Sequence, residues 1–294
     1  MLNDLHQLLF GVQKGAFNAL ARAISLVENN HELAKELLHN ITIKQTPIIG
    51  ITGPPGAGKS TLVNALIDTW LKQNKKIAFL AVDPSSPFNY GALLGDRIRL
   101  SAFYTNPNIF IRSIATRGSL GGLSPTIIEI TDLLKASIFD IILVETVGVG
   151  QSEVEIAGLA DITALVLVPE AGDDVQNMKA GIMEIADLYV VNKADRPDAD
   201  RFYNYLSKEI KERNKKTPIL KTVASEKKGV TELVAELETL MVQHQADEKQ
   251  LTLKAKRLYQ IIQKQRMADI ELNDLQKLIE QNPTKSLWQL VDSL

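Results

Sequence analysis

The chain has no cysteine and only four histidines among its 294 residues. Without thiols there are no disulfides and no thiolate metal centres, and a reducing compartment fits. An excess of one charge is also missing: 33 Lys and Arg stand against 35 Asp and Glu, a formal charge of −2. No general basic field therefore draws the chain to nucleic acid or to an anionic membrane. Long hydrophobic runs are lacking too; the longest, Ile162 to Pro169, suits a buried strand rather than a membrane span. The first residues, Met1 to His6, carry neither the basic and apolar regions of a signal peptide nor the Arg-rich character of a transit peptide. The expectation is a cytoplasmic protein with no nucleic-acid or membrane partner. Hydrophobic residues at 45% and charged residues at 23% give the usual globular balance, enough for one large or two modest domains.

What is present begins with Gly53-Pro54-Pro55-Gly56-Ala57-Gly58-Lys59-Ser60-Thr61, which reads G-x-x-x-x-G-K-S. It follows the apolar run Ile48-Ile49-Gly50-Ile51 and precedes the helical pattern Leu62 to Ile67, the strand–loop–helix context of a phosphate loop. Successive backbone N–H groups and a helix N-terminus converge there on one point, which suits a phosphate anion. Lys59 would reach the terminal phosphates and the Ser60 hydroxyl would ligate Mg²⁺. A glycine-rich turn that only caps a helix is the plainer alternative.

Residues 1–44 carry apolar residues at helical spacing (Leu5, Leu8, Leu9, Val12; Leu20, Ala23, Ile24, Val27) and read as an N-terminal helical cap. His6, His31 and His39 fall there without ligand spacing to an acidic partner and read as surface residues. Residues 45–240 alternate near-continuous apolar runs with helical stretches: Pro47–Thr52, Ile77–Val82, Ile109–Ile114, Ile138–Val144, Ile162–Val168, Leu188–Val191 and Pro218–Val223. That pattern predicts an α/β fold of the P-loop NTPase type, a mostly parallel sheet with helices on both faces. Residues 241–294, rich in Gln, Lys and Leu and free of glycine, predict a C-terminal helical extension, a lid or a dimerisation arm.

Ligands in such sheets bind at the carboxyl ends of the strands. Glu145-Thr146-Val147-Gly148 follows an unbroken apolar strand and resembles a Walker B end with a D-x-x-G switch, Glu replacing Asp. Glu145 would hold Mg²⁺ or its water, and Gly148 can present an N–H to a γ-phosphate. Gln151 reads either as a residue that orients water or as an ordinary loop residue. Asn192-Lys193-Ala194-Asp195 is N-K-x-D at the end of another strand. The Asp195 carboxylate can accept from the guanine N1–H and amine, a donor pair adenine lacks, so GTP is selected over ATP. Val223, Ala224 and Ser225 would add backbone contacts to the base. Asp83 and Asp96 bracket a Gly- and Pro-rich loop; a Mg²⁺ shell and a plain surface loop are equally open from spacing. Lys59, Asp83 and Glu145 are the residues expected to carry catalysis.

The motifs VDPSSP (82–87), LLGDRIR (93–99), ATRGSLGGLS (115–124), VETVGVGQSE (144–153) and VNKADRP (191–197) together resemble the methylmalonyl-CoA mutase-associated GTPases. These are the MeaB/ArgK/MMAA type of the SIMIBI class of P-loop GTPases, and the likeness covers roughly residues 10–240. The resemblance implies a G-protein chaperone, usually a homodimer, for an adenosylcobalamin-dependent acyl-CoA mutase, with GTP or GDP as its own ligand. It implies Ser60, Asp83, Asp96 and Glu145 around Mg²⁺, and a third switch at Asp173 to Lys179 that includes Asp174 and Gln176. Two positions depart from the family pattern: Ser119 stands where His is usual, and Glu170-Ala171 replaces a more glycine-rich run. The competing readings are a nickel-insertion GTPase, which the lack of cysteine disfavours, a P-loop kinase or ATPase linked to transport, and a binding module with a dead site.

Overall fold

A computed structural model describes residues 2–83, 100–116, 123–124, 126–146, 152–171, 180–212, 217–244, 248–267, 270, 272–283 and 286–291. Seven strands form one parallel sheet in the order β3-β2-β4-β1-β5-β6-β7. They are β1 (Ile48–Thr52), β2 (Ile77–Asp83), β3 (Ile109–Ala115), β4 (Ile141–Glu145), β5 (Ile162–Leu167), β6 (Leu188–Val191) and β7 (Ile219–Lys221). Every residue of β1, β4, β5 and β6 is buried, which is what near-continuous Ile, Val and Leu runs demand when helices cover both faces.

The seven apolar runs read from sequence are these seven strands, and the largest trims are at the start of β4 and the end of β7. β4 begins at Ile141 because the two residues before it are otherwise engaged. Phe139 packs into the core beneath the sheet, and the Asp140 carboxylate accepts from the Lys76 backbone N–H at 2.7 Å. β7 stops at Lys221 because Val223 turns to pair antiparallel with Lys228.

One face is covered by helix α4 (Lys59–Lys72) and by helices Ala199–Glu212 and Val230–His244, which bury Leu62, Leu66, Trp70, Phe202, Leu206, Leu233 and Leu237. The other face is covered by α1 (Leu2–Gln13), α2 (Phe17–Glu28), α3 (Glu32–Asn40) and helices Ile127–Lys135 and Ser152–Leu159. The α2 stripe Leu20, Ala23, Ile24 and Val27 is buried there at helical spacing. A partly buried ion pair, Arg112 to Glu28 at 2.6 Å, ties α2 to β3. His31 is exposed, and its Nδ1 accepts from the Leu33 N–H, so it caps α3.

The chain divides into two compact units, Met1–Gln250 and Leu251–Leu294. The second unit holds most of helix Glu248–Arg266, followed by Leu272–Gln281 and Leu287–Val291. It exposes Leu251, Leu258, Tyr259, Leu287 and Trp288. Among the described residues no helix is long and apolar enough to cross a membrane.

Candidate nucleotide site

The carboxyl edge of β1 delivers the phosphate loop. Gly53 leaves the strand against β5: a Cβ there would lie 2.1 Å from the Val166 carbonyl oxygen, and its φ is 141°, so only glycine fits. Gly58, at φ 84°, is the N-cap of α4, and a Cβ on it would meet the Asn192 amide nitrogen at 2.5 Å. The loop thus runs directly into the first N–H groups of a helix, where an anion is favoured. Pro55, Gly56 and Thr61 are exposed while Ala57 is buried. Lys59 is buried, and its Nζ donates to the carbonyls of Gly53 at 2.8 Å and Pro54 at 3.1 Å.

β4 is the neighbour of β1, with Ile51 opposite Glu145. That register brings Ser60, at the start of α4, to Glu145: the Ser60 hydroxyl donates to Oε1 at 2.7 Å. One residue on, the Thr146 hydroxyl donates to the Thr52 hydroxyl at 2.9 Å, and the Thr146 N–H donates to the Ile51 carbonyl. The end of β4 is therefore bound to the residue that precedes the loop. Asp83 ends β2, two positions beyond Ala81, the residue opposite Glu145. Its backbone is at the same edge; its side chain lies outside what is described, as do Asp96, Gly148, Gln151, Asp173, Asp174, Gln176 and Lys179.

The N-K-x-D residues leave β6 and clasp the phosphate loop. Asn192 Nδ2 donates to the Ala57 carbonyl at 2.9 Å, and Lys193 Nζ donates to the Gly56 carbonyl at 2.7 Å. Lys193 holds a φ of 54° to do so. Asn192 Oδ1 accepts from the Thr222 hydroxyl at 3.0 Å and from the Ala224 N–H at 3.2 Å. One buried amide therefore joins the phosphate loop to the loop at 223–225. In that loop the Val223 N–H donates to the Lys228 carbonyl and the Ala224 N–H to Asn192 Oδ1, and Ser225 is the exposed residue of the three. Asp195 is exposed. Glu226 first, and Asp195 more weakly, hold the Lys228 ammonium above its ordinary range.

The structure thus brings together the phosphate loop, Glu145, Asn192, Lys193 and the 223–225 loop at one sheet edge. Sequence reasoning missed Thr52, Thr146 and Thr222 as connectors. A threonine at a strand end carries no signal of its own, because its partner is fixed only by sheet register. The oxygen-only pair Ser60 and Glu145 fits a hard divalent cation such as Mg²⁺ in its donor chemistry.

A parallel sheet of this order, carrying a G-x-x-x-x-G-K-S loop between β1 and α4, defines a P-loop nucleoside triphosphatase. The model of the methylmalonyl Co-A mutase-associated GTPase MeaB family matches residues 20–282. A putative GTPase of Pyrococcus abyssi is 48% identical over 238 residues, 78% of this chain and 74% of that protein. The mouse methylmalonic aciduria type A homolog, mitochondrial, is 42% identical over 205 residues, 64% of this chain and 49% of that protein. Among solved structures, one described as a LAO/AO transport system kinase superposes with a TM-score of 0.71 at 26% identity, covering 98% of this chain and 95% of that one. The chain belongs to the MeaB family of mutase-associated GTPases.

Proposed function

We propose that this protein is a GTP-driven chaperone that gates adenosylcobalamin loading into an acyl-CoA mutase, methylmalonyl-CoA mutase first, and protects that enzyme. The observation that carries the reading is the mutase-associated GTPase family match across residues 20–282. The chemistry follows from the site. Lys59 exchanges the Gly53 and Pro54 carbonyls for phosphate oxygens, and the loop N–H groups with the helix N-terminus complete the anion cradle. Ser60 and Glu145, with Asp83 and Asp96, would hold Mg²⁺, whose contribution when bound is to neutralise charge on the phosphates. Asn192 and Lys193 brace the loop while Asp195 reads guanine; a transport-linked kinase would need ATP, and adenine offers Asp195 no donor pair.

Turnover by the protein alone is slow, on the order of 10⁻³–10⁻² per second, as for P-loop GTPases acting without a partner, and a partner completes the switches at Gly148, Gln151 and Asp173 to Lys179. The apolar residues exposed by the second unit, Leu251 and Tyr259 among them, favour a homodimer. The near-neutral chain acts in the cytoplasm. The test is GTP hydrolysis measured with and without an adenosylcobalamin-dependent mutase. Acceleration of at least about tenfold is expected. Hydrolysis at tens per second by the protein alone, unchanged by the mutase, would overturn the reading.

A further inference from the structure

On that same reading of the site, we infer that Asp68 is a positioning residue for guanine recognition, holding the base-side loop through Lys227. Asp68 lies on α4, about two and a half turns beyond Lys59, on the helix whose N-terminus faces the phosphates. Its Oδ2 accepts from Lys227 Nζ at 2.7 Å, across 159 residues of sequence, and from Lys72 Nζ at 2.8 Å within the helix. Lys227 directly follows the turn Ala224–Glu226 and caps it at φ 58°, ψ 18°.

That left-handed conformation is cheaper for glycine or asparagine than for a lysine. The lysine side chain is thus kept at a backbone cost, and the contact it makes is with Asp68. The loop it belongs to is otherwise fastened from the far side, by the Asn192 Oδ1 to Ala224 N–H bond and by the Val223–Lys228 bridge. Without Asp68 the loop keeps its N-K-x-D anchor and its packing on α4, and loses its charged link to that helix. Lys227 first, and Lys72 second, hold the Asp68 carboxyl below its usual range, so the contact is ionised wherever nucleotide binding is measured. One helix thereby sets the distance between the phosphate end and the base end of the ligand.

The test compares D68N, K227M and the double variant in the full chain. GDP affinity is read by calorimetry, and tripolyphosphate, which fills the phosphate loop but carries no base, is read by competition. Each single variant should weaken GDP roughly two- to fivefold, the range of a half-exposed ion pair. The double variant should weaken it no further, and tripolyphosphate affinity should not change. Unchanged GDP affinity in the single variants, additive losses in the double, or an equal loss for tripolyphosphate would each overturn the inference. Equal affinity of the unmodified protein for GDP and ADP would overturn the guanine reading itself, whereas guanine-selective binding with D68N unaffected overturns this inference alone.

Discussion

At the scale of the residue, the clearest test of base recognition is Asp195. Its carboxylate accepts at both oxygens where an amide accepts at one and donates at the other, so Asp195→Asn turns one of the two contacts with guanine into donor against donor. Setting one guanine donor against another donor costs about 1–3 kcal/mol, which predicts a loss of GTP affinity of roughly ten- to hundredfold and a gain for XTP. Nucleotide titration of the variant reads this directly; an unchanged GTP affinity removes Asp195 from the base site. Residue identities with a fixed chemical partner were legible in sequence. Lys59 and Ser60 follow from the spacing of the glycines before them, and Asn192 and Lys193 from their distance after a strand. What sequence withheld is where these side chains rest. Lys59 lies on the carbonyls of Gly53 and Pro54, and Asn192 is shared between two loops, because those partners come from register and loop geometry rather than from local pattern.

Among the elements, helix Ser152–Leu159 begins at the residue after Gln151. Its Glu155 carboxylate accepts from the Leu123 N–H at 3.3 Å. The residue as a whole is exposed, but its carboxyl is partly withdrawn from water, and that withdrawal raises its pKa, the Leu123 N–H opposing in part. A carboxyl raised on folding binds its proton more tightly in the folded state. Its contribution to stability is therefore fully present below the ordinary glutamate value of 4.5 and declines as pH rises through the raised value. Glu155→Gln should accordingly raise the thermal midpoint at pH 7 and leave it nearly unchanged at pH 4, as scanning calorimetry at the two pH values would read. A larger gain at pH 4 than at pH 7 would contradict the assignment. The strands themselves were legible to within about three residues, because unbroken apolar runs leave a doubly covered sheet as the economical solution. The shortened ends were not: β4 is delayed by Asp140 reaching Lys76, and β7 is cut by the turn that pairs Val223 with Lys228.

For the whole molecule, a ligand that binds only the folded state adds stability by mass action, about 2.7 kcal/mol at a hundred times its dissociation constant. For a unit of this size that shift is roughly 5 °C in thermal midpoint. GDP at such an excess should therefore raise the midpoint while ADP at equal concentration leaves it in place; matching shifts from both would remove the guanine preference. The parallel order of the sheet was legible from the alternation of strand and helix patterns. The order β3-β2-β4-β1-β5-β6-β7 was not, because buried strands of similar Ile, Val and Leu content do not encode their neighbours. The N-terminal helices read from sequence as a cap are built into one face of the sheet by Leu20, Ile24 and Phe110, and by the pair Arg112 and Glu28.

The pairing of Thr146 with Thr52 spans 94 residues of chain, and that of Asp161 with the Ile48 N–H spans 113. The strand bearing the phosphate loop is thus flanked on both sides by partners from far along the sequence, and closing such loops is slow. We expect the cradle, built from strands so distant in sequence, to be incomplete in the folding transition state. An interaction absent from the transition state slows unfolding without hastening folding. Bound GDP should therefore lengthen the lifetime of the native state while leaving the refolding rate untouched, making the nucleotide a kinetic lock rather than a folding template.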